Sequence, residues 1–193
     1  FSPAIGKYKI SNELINIINK HVDSILEDQD KIEELYHGKN LAGEIKYEIK
    51  LTKEFIDLNL YSPIKDIVYN FVKSTLNKEL KTLEVKSSWA VCQFESDYNP
   101  IHWHDGHLSG VMYTKVPNDF GSSYKKINKN GNIAFIHGST QLTAASVYDV
   151  SPAIGDLYIF PSNLMHVVYP FFSAEERRSV SFNVFLDSEA AKI

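Results

Sequence analysis

Two histidines in segment 99–107 have the type and spacing to bind one metal ion. His102 and His104 are separated by a single residue, and in an extended chain side chains two positions apart point to the same face. Their Cα atoms would lie about 6–7 Å apart, so both imidazoles can converge on one ion. The other interpretation is a polar loop that is rich in histidine by chance, and the pair alone leaves both interpretations open.

His166 is a third histidine that could take part in such a site. It follows a strand–turn signature at 155–162 and sits among apolar residues. A single histidine in that setting is more often a core or surface residue than a ligand. Only the segment that follows His166 supports its assignment as a metal ligand.

The segment that begins at Arg177 alternates strictly between polar and apolar side chains. One face carries Arg177, Ser179, Ser181 and Asn183, and the other carries Val180, Phe182 and Val184. A guanidinium beside a hydroxyl is well suited to bind a small carboxylate, and burying it is costly unless an anion pairs with it. The alternative is a polar face exposed to solvent, with Arg177 in water.

These residues belong to the part of the chain with strand-like periodicity. From residue 83 onward, short alternating segments are separated by turn residues, which predicts a barrel or a sandwich. From Ser11 to about Lys81 the periodicity is helical, with one helix after Ser11 and another opened by Pro63, whereas 44–49 alternates like an edge strand. We expect a single domain, 1–193, in which a helical flank (1–82) packs on a β core (83–187).

Composition and charge limit the function classes. The net charge of −4 disfavours nucleic acid as a partner. One cysteine excludes an intramolecular disulfide, and no apolar run approaches the roughly 20 residues that a membrane-spanning helix needs. We expect a soluble, intracellular (cytoplasmic) protein with no membrane partner.

Together these motifs resemble the 2-oxoglutarate/Fe(II)-dependent oxygenases. The shared order is His-x-His, the segment 108–113, Gly-Asp-Leu-x-x-Phe-Pro-Ser at 155–162, the distal histidine and Arg-x-Ser at 177–179. More narrowly, the chain is similar to a group of such oxygenases from phage and marine bacterial genomes that carry His-x-His where most relatives carry His-x-Asp. The resemblance spans about 89–185.

The resemblance implies a mainly β fold with α-helices, a double-stranded β-helix of the jelly-roll or cupin-like kind. It implies that His102 is the first iron ligand and His166 the distal one, on facing strands. Arg177 would bind the far carboxylate of 2-oxoglutarate with help from Ser179, and Tyr113 could also reach the co-substrate.

The second metal ligand departs from the family pattern. The usual triad has two histidines and one carboxylate, but position 104 is a histidine and Asp105 has the wrong parity for a regular strand. Either His104 ligates and the catalytic site is a three-histidine site, or a bulge at 105–106 turns Asp105 inward. We favour His104. Gln93, on the preceding strand, is a weaker candidate for the co-substrate pocket.

The resemblance implies a dioxygenase that uses Fe(II), 2-oxoglutarate and O₂, hydroxylates a second substrate, and releases succinate and CO₂. Two alternatives are a three-histidine oxygenase that does not use 2-oxoglutarate and a non-catalytic metal-binding module. The sequence does not specify the primary substrate, a small molecule or a peptidyl residue, or the oligomeric state.

Overall fold

Two antiparallel sheets make up the β structure of the computed structural model, which describes residues 3–192. The larger sheet has the strand order β1 (Gly6–Lys9), β8 (Asp156–Pro161), β5 (Leu108–Lys115), β10 (Arg177–Leu186), β3 (Leu83–Gln93) and β2 (Tyr47–Lys50). The smaller sheet has the order β4 (Asn99–His102), β9 (Met165–Val168), β6 (Ile133–Ile136) and β7 (Val147–Val150). The expected mainly β class with helices is confirmed.

The helices cover the outer face of the larger sheet. Helix α1 (Asn12–Leu26) begins at the predicted N-cap, where the Ser11 hydroxyl accepts from the backbone N–H of Leu14. Helices α2 (Gln29–Leu35) and α3 (Lys53–Phe55) are short, and α3 continues through a π-helical turn (Ile56–Leu60) into α4 (Tyr61–Leu76). Pro63 is the third residue of α4, and because it has no N–H it cannot donate to a carbonyl of the π-helical turn before it.

The central strand β10 has one face in the main core and one face in a cavity between the sheets. Val180, Phe182 and Val184 pack in the core with the apolar stripes of α1 and α4. Arg177 is on the other face and only 1% exposed. The predicted alternation is therefore confirmed, and the interpretation of this face as solvent-exposed is wrong.

The N-terminal part is not purely helical, because it supplies both edge strands of the larger sheet. The strand β2 lies close to the edge strand predicted at 44–49, whereas β1 was not predicted. Lys7 and Lys9 of β1 both pair with the buried carboxylate of Asp156 on β8. That contact joins positions far apart in the sequence, so local periodicity does not reveal it.

Among the described residues, no helix has the length and apolar character needed to cross a membrane.

Candidate active site

His102 and His166 are brought together by strand pairing. They are direct partners in the antiparallel register of β4 and β9, and their ring centroids are 4.2 Å apart. They therefore lie on neighbouring strands of the smaller sheet, not on facing strands as expected. In an antiparallel pair, residues directly opposite each other project to the same face, which explains why the two rings meet.

His104 joins this pair from just beyond the end of β4. Its backbone N–H donates to the carbonyl of Ser162 at 2.8 Å, and its Nε2 lies 3.2 Å from Nε2 of His166. The three side chains offer ligand atoms that all lie within 4.8 Å of one another. One metal ion can therefore contact all three imidazoles.

Backbone carbonyls set the orientation of two of the rings. Nδ1 of His102 donates to the carbonyl of Pro100 at 2.7 Å, and Nδ1 of His166 donates to the carbonyl of Leu164 at 2.9 Å. A carbonyl can only accept, so Nδ1 carries the proton and Nε2 keeps a free lone pair. This outer hydrogen bond is the usual way in which proteins orient a metal-binding imidazole.

Burial keeps the three imidazoles neutral. It lowers the pKa of His104 to about 4, with a contribution from the charge of His102. It lowers the pKa of His166 to about 3, with contributions from the other two rings, and the pKa of His102 is also lowered by burial. At neutral pH each ring is in its neutral form, in which one nitrogen has no proton and can bind a metal.

The structure does not bring Asp105 into the histidine cluster. Its side chain is 78% exposed and forms an ion pair with Lys86, which also lowers the pKa of the carboxyl group. His107 lies outside the cluster as well, and its Nδ1 accepts from the backbone N–H of Leu186 at 2.9 Å. The chain turns away between these two residues at Gly106, whose φ is 126°.

A cavity of about 300 Å³ connects the histidines to Arg177. Arg177 donates from Nη1 to Oε1 of Gln93, and its Nη2 lies 3.4 Å from the Tyr113 hydroxyl. The guanidinium also sits 4.9 Å from the centroid of the Tyr113 ring. Ser179 lines the same cavity, in register with Tyr113 on β5.

The Arg177 end of the cavity has a buried positive charge and unused hydrogen-bond donors. No carboxylate of the described residues lies within ion-pair distance of this guanidinium. Nε of Arg177 and Nε2 of Gln93 are buried donors without a hydrogen-bond partner. A buried, unpaired cation with unused donors is costly, so a bound carboxylate would satisfy both the charge and the donors.

A buried polar network supports the His104 loop, and sequence reasoning missed it. The Ser109 hydroxyl contacts the Ser162 hydroxyl at 2.9 Å and Oδ1 of Asn183 at 2.7 Å. Because the Ser162 carbonyl accepts from His104, this network fixes the backbone that presents His104. The position of Asn183 on the polar face of β10 was the one sequence feature that could have indicated this network.

Glu48 is the second residue that sequence reasoning missed. It lines the cavity from β2, and burial together with the charge of Asp97 raises its pKa to about 7. Its neighbours of the same parity, Lys46 and Lys50, are exposed. The sequence pattern therefore suggested a solvated edge and gave no sign of a buried carboxyl.

The sequence matches one protein family over half of its length. The model of the family described as "Putative 2OG-Fe(II) oxygenase" matches residues 87–183. This range contains all three clustered histidines and Arg177. No curated protein sequence gives a significant match.

Solved structures of several oxygenases are similar to the whole chain. A Pseudomonas putida prolyl-4-hydroxylase has a TM-score of 0.59 at 15% identity, covering 94% of this chain and 91% of that one. HygX from Streptomyces hygroscopicus with nickel and 2-oxoglutarate bound has a TM-score of 0.61 at 9% identity, covering 95% and 82%. A prolyl hydroxylase from Trichoplax adhaerens, in complex with a hypoxia inducible factor peptide fragment, has a TM-score of 0.64 at 10% identity, covering 98% and 86%. These likenesses confirm the double-stranded β-helix fold.

Proposed function

Because the chain belongs to the 2OG-Fe(II) oxygenase family, we propose that His102, His104 and His166 hold its Fe(II), and that Arg177 anchors its 2-oxoglutarate. The protein is an Fe(II)- and 2-oxoglutarate-dependent dioxygenase that hydroxylates an unidentified substrate. When bound, the metal and co-substrate couple decarboxylation of 2-oxoglutarate, which yields succinate and CO₂, to hydroxylation by O₂.

The clustering of three imidazole nitrogens within 4.8 Å carries the metal assignment. Imidazole suits Fe(II), and a site with three protein ligands leaves coordination positions for other groups. Three neutral ligands do not offset the charge of the ion, so the dianionic co-substrate has a larger share in neutralising it than in a site with a carboxylate ligand.

The unpaired guanidinium of Arg177 supports the co-substrate assignment. Gln93 and Tyr113 hold this group in place from two neighbouring strands, so little side-chain entropy remains to be lost when a carboxylate binds. Ser179 and Tyr113 add hydroxyl groups beside it in the same cavity. Charge-assisted hydrogen bonds between a planar guanidinium and a carboxylate are stronger than hydrogen bonds between neutral groups.

Aromatic side chains keep the His166 end of the cavity dry. The Phe160 ring lies 5.1 Å from the His166 ring, and the Phe135 ring lies 6.0 Å from it. Both phenylalanines are buried. They restrict the rotation of His166 and exclude water from the side of the ring that faces away from the cluster.

The partners are O₂, 2-oxoglutarate and a primary substrate that is a small molecule or a peptidyl residue. Two of the similar structures contain hygromycin B and a peptide fragment, one small molecule and one peptide. The net charge of −4 disfavours nucleic acid.

The single, buried Cys92 supports an intracellular location, and the edge strands contributed by the N-terminal part support a single domain.

Succinate formation tests the proposal without knowledge of the primary substrate. Fe(II)-loaded protein is incubated under air with 2-oxoglutarate, beside a His166→Ala control. Succinate above the control level supports the assignment of the metal and co-substrate residues. Oxygen uptake without succinate would instead indicate the alternative oxygenase that does not use 2-oxoglutarate, and equal succinate from both proteins would remove His166 from the site.

A further inference from the structure

We propose that Glu48 selects the primary substrate by binding a cationic group of it, an ammonium or a guanidinium, inside the cavity beside the three histidines. This inference rests on the proposed function, because it takes the cavity that contains the histidines as the place where the primary substrate binds. It adds a substrate class and a specificity-determining residue to that function.

Strand pairing directs the Glu48 side chain into the cavity. In the antiparallel register of β2 and β3, Glu48 is the direct partner of Val91. Val91 lies on the face of β3 that lines the cavity, between Trp89 and Gln93. The backbone carbonyl of Glu48 also accepts from the N–H of His37 at 2.7 Å, which fixes this edge of the sheet.

The four buried charged residues of the described chain divide into two kinds. Asp156 is paired with two lysines, and Arg178 is paired with Asp23 and Glu176. Glu48 and Arg177 have no ion-pair partner among the described residues, although each is 1% exposed. Both of the unpaired residues line the same cavity.

The unpaired charges have opposite sign and do not pair with each other. Oε2 of Glu48 is buried without a hydrogen-bond partner, as is Nε of Arg177. An unpaired buried charge is destabilising and is rarely retained without a partner. The anionic co-substrate would satisfy Arg177. Oε2 of Glu48 would then remain as a buried acceptor without a donor.

The surroundings of Glu48 favour a cation over a neutral donor. Asp97 adds a second negative charge whose field acts on Glu48. Trp89 and Trp103 line the cavity, and the Trp89 ring lies 5.4 Å from that of His104 and 5.9 Å from that of His37. Indole faces attract cations. At pH 8, above its raised pKa of about 7, Glu48 is mostly ionised, and a neutral donor would satisfy its hydrogen bond but leave its charge uncompensated.

Four probes of equal chain length separate charge from size. Pentylamine and pentylguanidine are the cationic probes, 1-pentanol is neutral and pentanoate is anionic. Their binding to protein loaded with Zn(II) and 2-oxoglutarate is measured at pH 8 by ligand-observed NMR. We expect the wild type to bind at least one cationic probe about ten-fold more tightly than 1-pentanol, as charge-assisted hydrogen bonds allow.

Two substitutions at position 48 and one control identify the residue responsible. Glu48→Gln keeps the shape and removes the charge, so it should abolish the preference, whereas Glu48→Asp should keep the preference at reduced strength. Glu44→Gln removes an exposed carboxylate from the same segment and should leave the preference unchanged. Metal content and 2-oxoglutarate affinity are measured in every variant, because a merely structural role of Glu48 would change these and not the charge preference.

Each result has one meaning. A wild type without a cation preference, or a Glu48→Gln variant that keeps it, overturns the inference while 2-oxoglutarate binding and succinate release still support the proposed function. A wild type that binds no 2-oxoglutarate and releases no succinate overturns the proposed function itself. If Glu48→Gln does not fold, an undiminished preference in Glu48→Asp overturns the inference.

Discussion

Arg177 and Arg178 are consecutive residues of β10, each 1% exposed, whose guanidinium groups lie on opposite faces of the larger sheet. Arg177 faces the cavity and contacts Gln93 and Tyr113. Arg178 faces α1, where its Nη2 lies 2.7 Å from Oδ1 of Asp23. The two arginines therefore allow the proposed ligand-binding cation and a cation paired within the fold to be compared at one point in the structure.

Arg177→Gln should weaken 2-oxoglutarate binding by about 10- to 100-fold, the loss expected for a charge-assisted bidentate contact. The thermal stability of the ligand-free protein should not fall, because the charge that is removed has no ionic partner in the part of the chain that the structure describes and is costly to bury. Calorimetric titration of Zn(II)-loaded protein with 2-oxoglutarate measures the affinity. Unchanged affinity would contradict the assignment of Arg177 as the anchor.

Arg178→Gln is the matched control, and it should have the opposite effects. The substitution removes a buried guanidinium from Asp23 and Glu176, which keep only Lys115 as a partner within residues 3–192, so the free energy of unfolding should fall by about 2 kcal/mol. The affinity for 2-oxoglutarate should stay close to that of the wild type. Urea unfolding and the same calorimetric titration check both expectations.

His166→Ala should abolish metal binding, because the variant lacks the histidine that lies against both others. The fold should persist, because apolar side chains and not this ring form the core between the strands. Circular dichroism checks that the strands are retained. His107→Gln is the matched control, because His107 lies near the cluster but contacts Leu186 and Phe185. Stoichiometric metal in His166→Ala, measured by atomic emission after Fe(II) loading, would exclude His166 as a ligand.

His104→Asp should retain one Fe(II) and release succinate at a rate comparable to that of the wild type. The aspartate restores the common ligand set of two histidines and one carboxylate, and its negative charge partly offsets that of the ion. We therefore also expect the charge of 2-oxoglutarate to have a smaller share in neutralising the ion in this variant than in the wild type. Unchanged metal affinity in His104→Ala, measured beside it, would argue against ligation from position 104.

Glu48→Gln should stabilise the metal-free protein at high pH and not at low pH. The pKa of Glu48 is raised to about 7 in the folded protein from an ordinary value of 4.5. A raised carboxyl pKa means that the wild type loses stability as pH rises from the ordinary value through the folded one. The stability difference between variant and wild type should grow in favour of the variant by on the order of 2 kcal/mol between pH 4.5 and pH 8. Urea unfolding at pH 4.5, 6 and 8 measures it, and a difference independent of pH would show that Glu48 is not buried as a carboxyl.

Local patterns were sufficient for the strands that carry His166 and Arg177, whereas the strand that carries His102 was only assumed to be extended. The alternation after Arg177 extends over a whole strand, so both faces of β10 were readable from the sequence. The His-x-His spacing likewise predicted that two rings would lie close together. The direct pairing of His102 with His166 was not readable, because strand register depends on contacts between distant segments.

Glu48 and β1 were missed for a related reason. The four residues of β1 are too short for a periodic signal. The alternation at 44–49 predicted an edge strand but not that Glu48 faces inward, which depends on a partner strand far away in the sequence. Lysines flank Glu48 at the same parity, so local composition indicates solvent. Only the pairing with β3 places the carboxyl in the cavity.

Glu48 lies on an edge strand, apart from the strands that carry the proposed metal and co-substrate residues. Within the larger sheet β2 pairs with β3 alone, whereas Arg177 lies on the interior strand β10 and the histidines belong to the other sheet. If Glu48 binds the primary substrate as we propose, sequence changes in segment 37–48 would alter the choice of substrate and leave the proposed metal and co-substrate residues in place. For protein engineers this segment is the place to vary substrate choice, with the buried Ile45 kept because it packs against Trp89 and Val91.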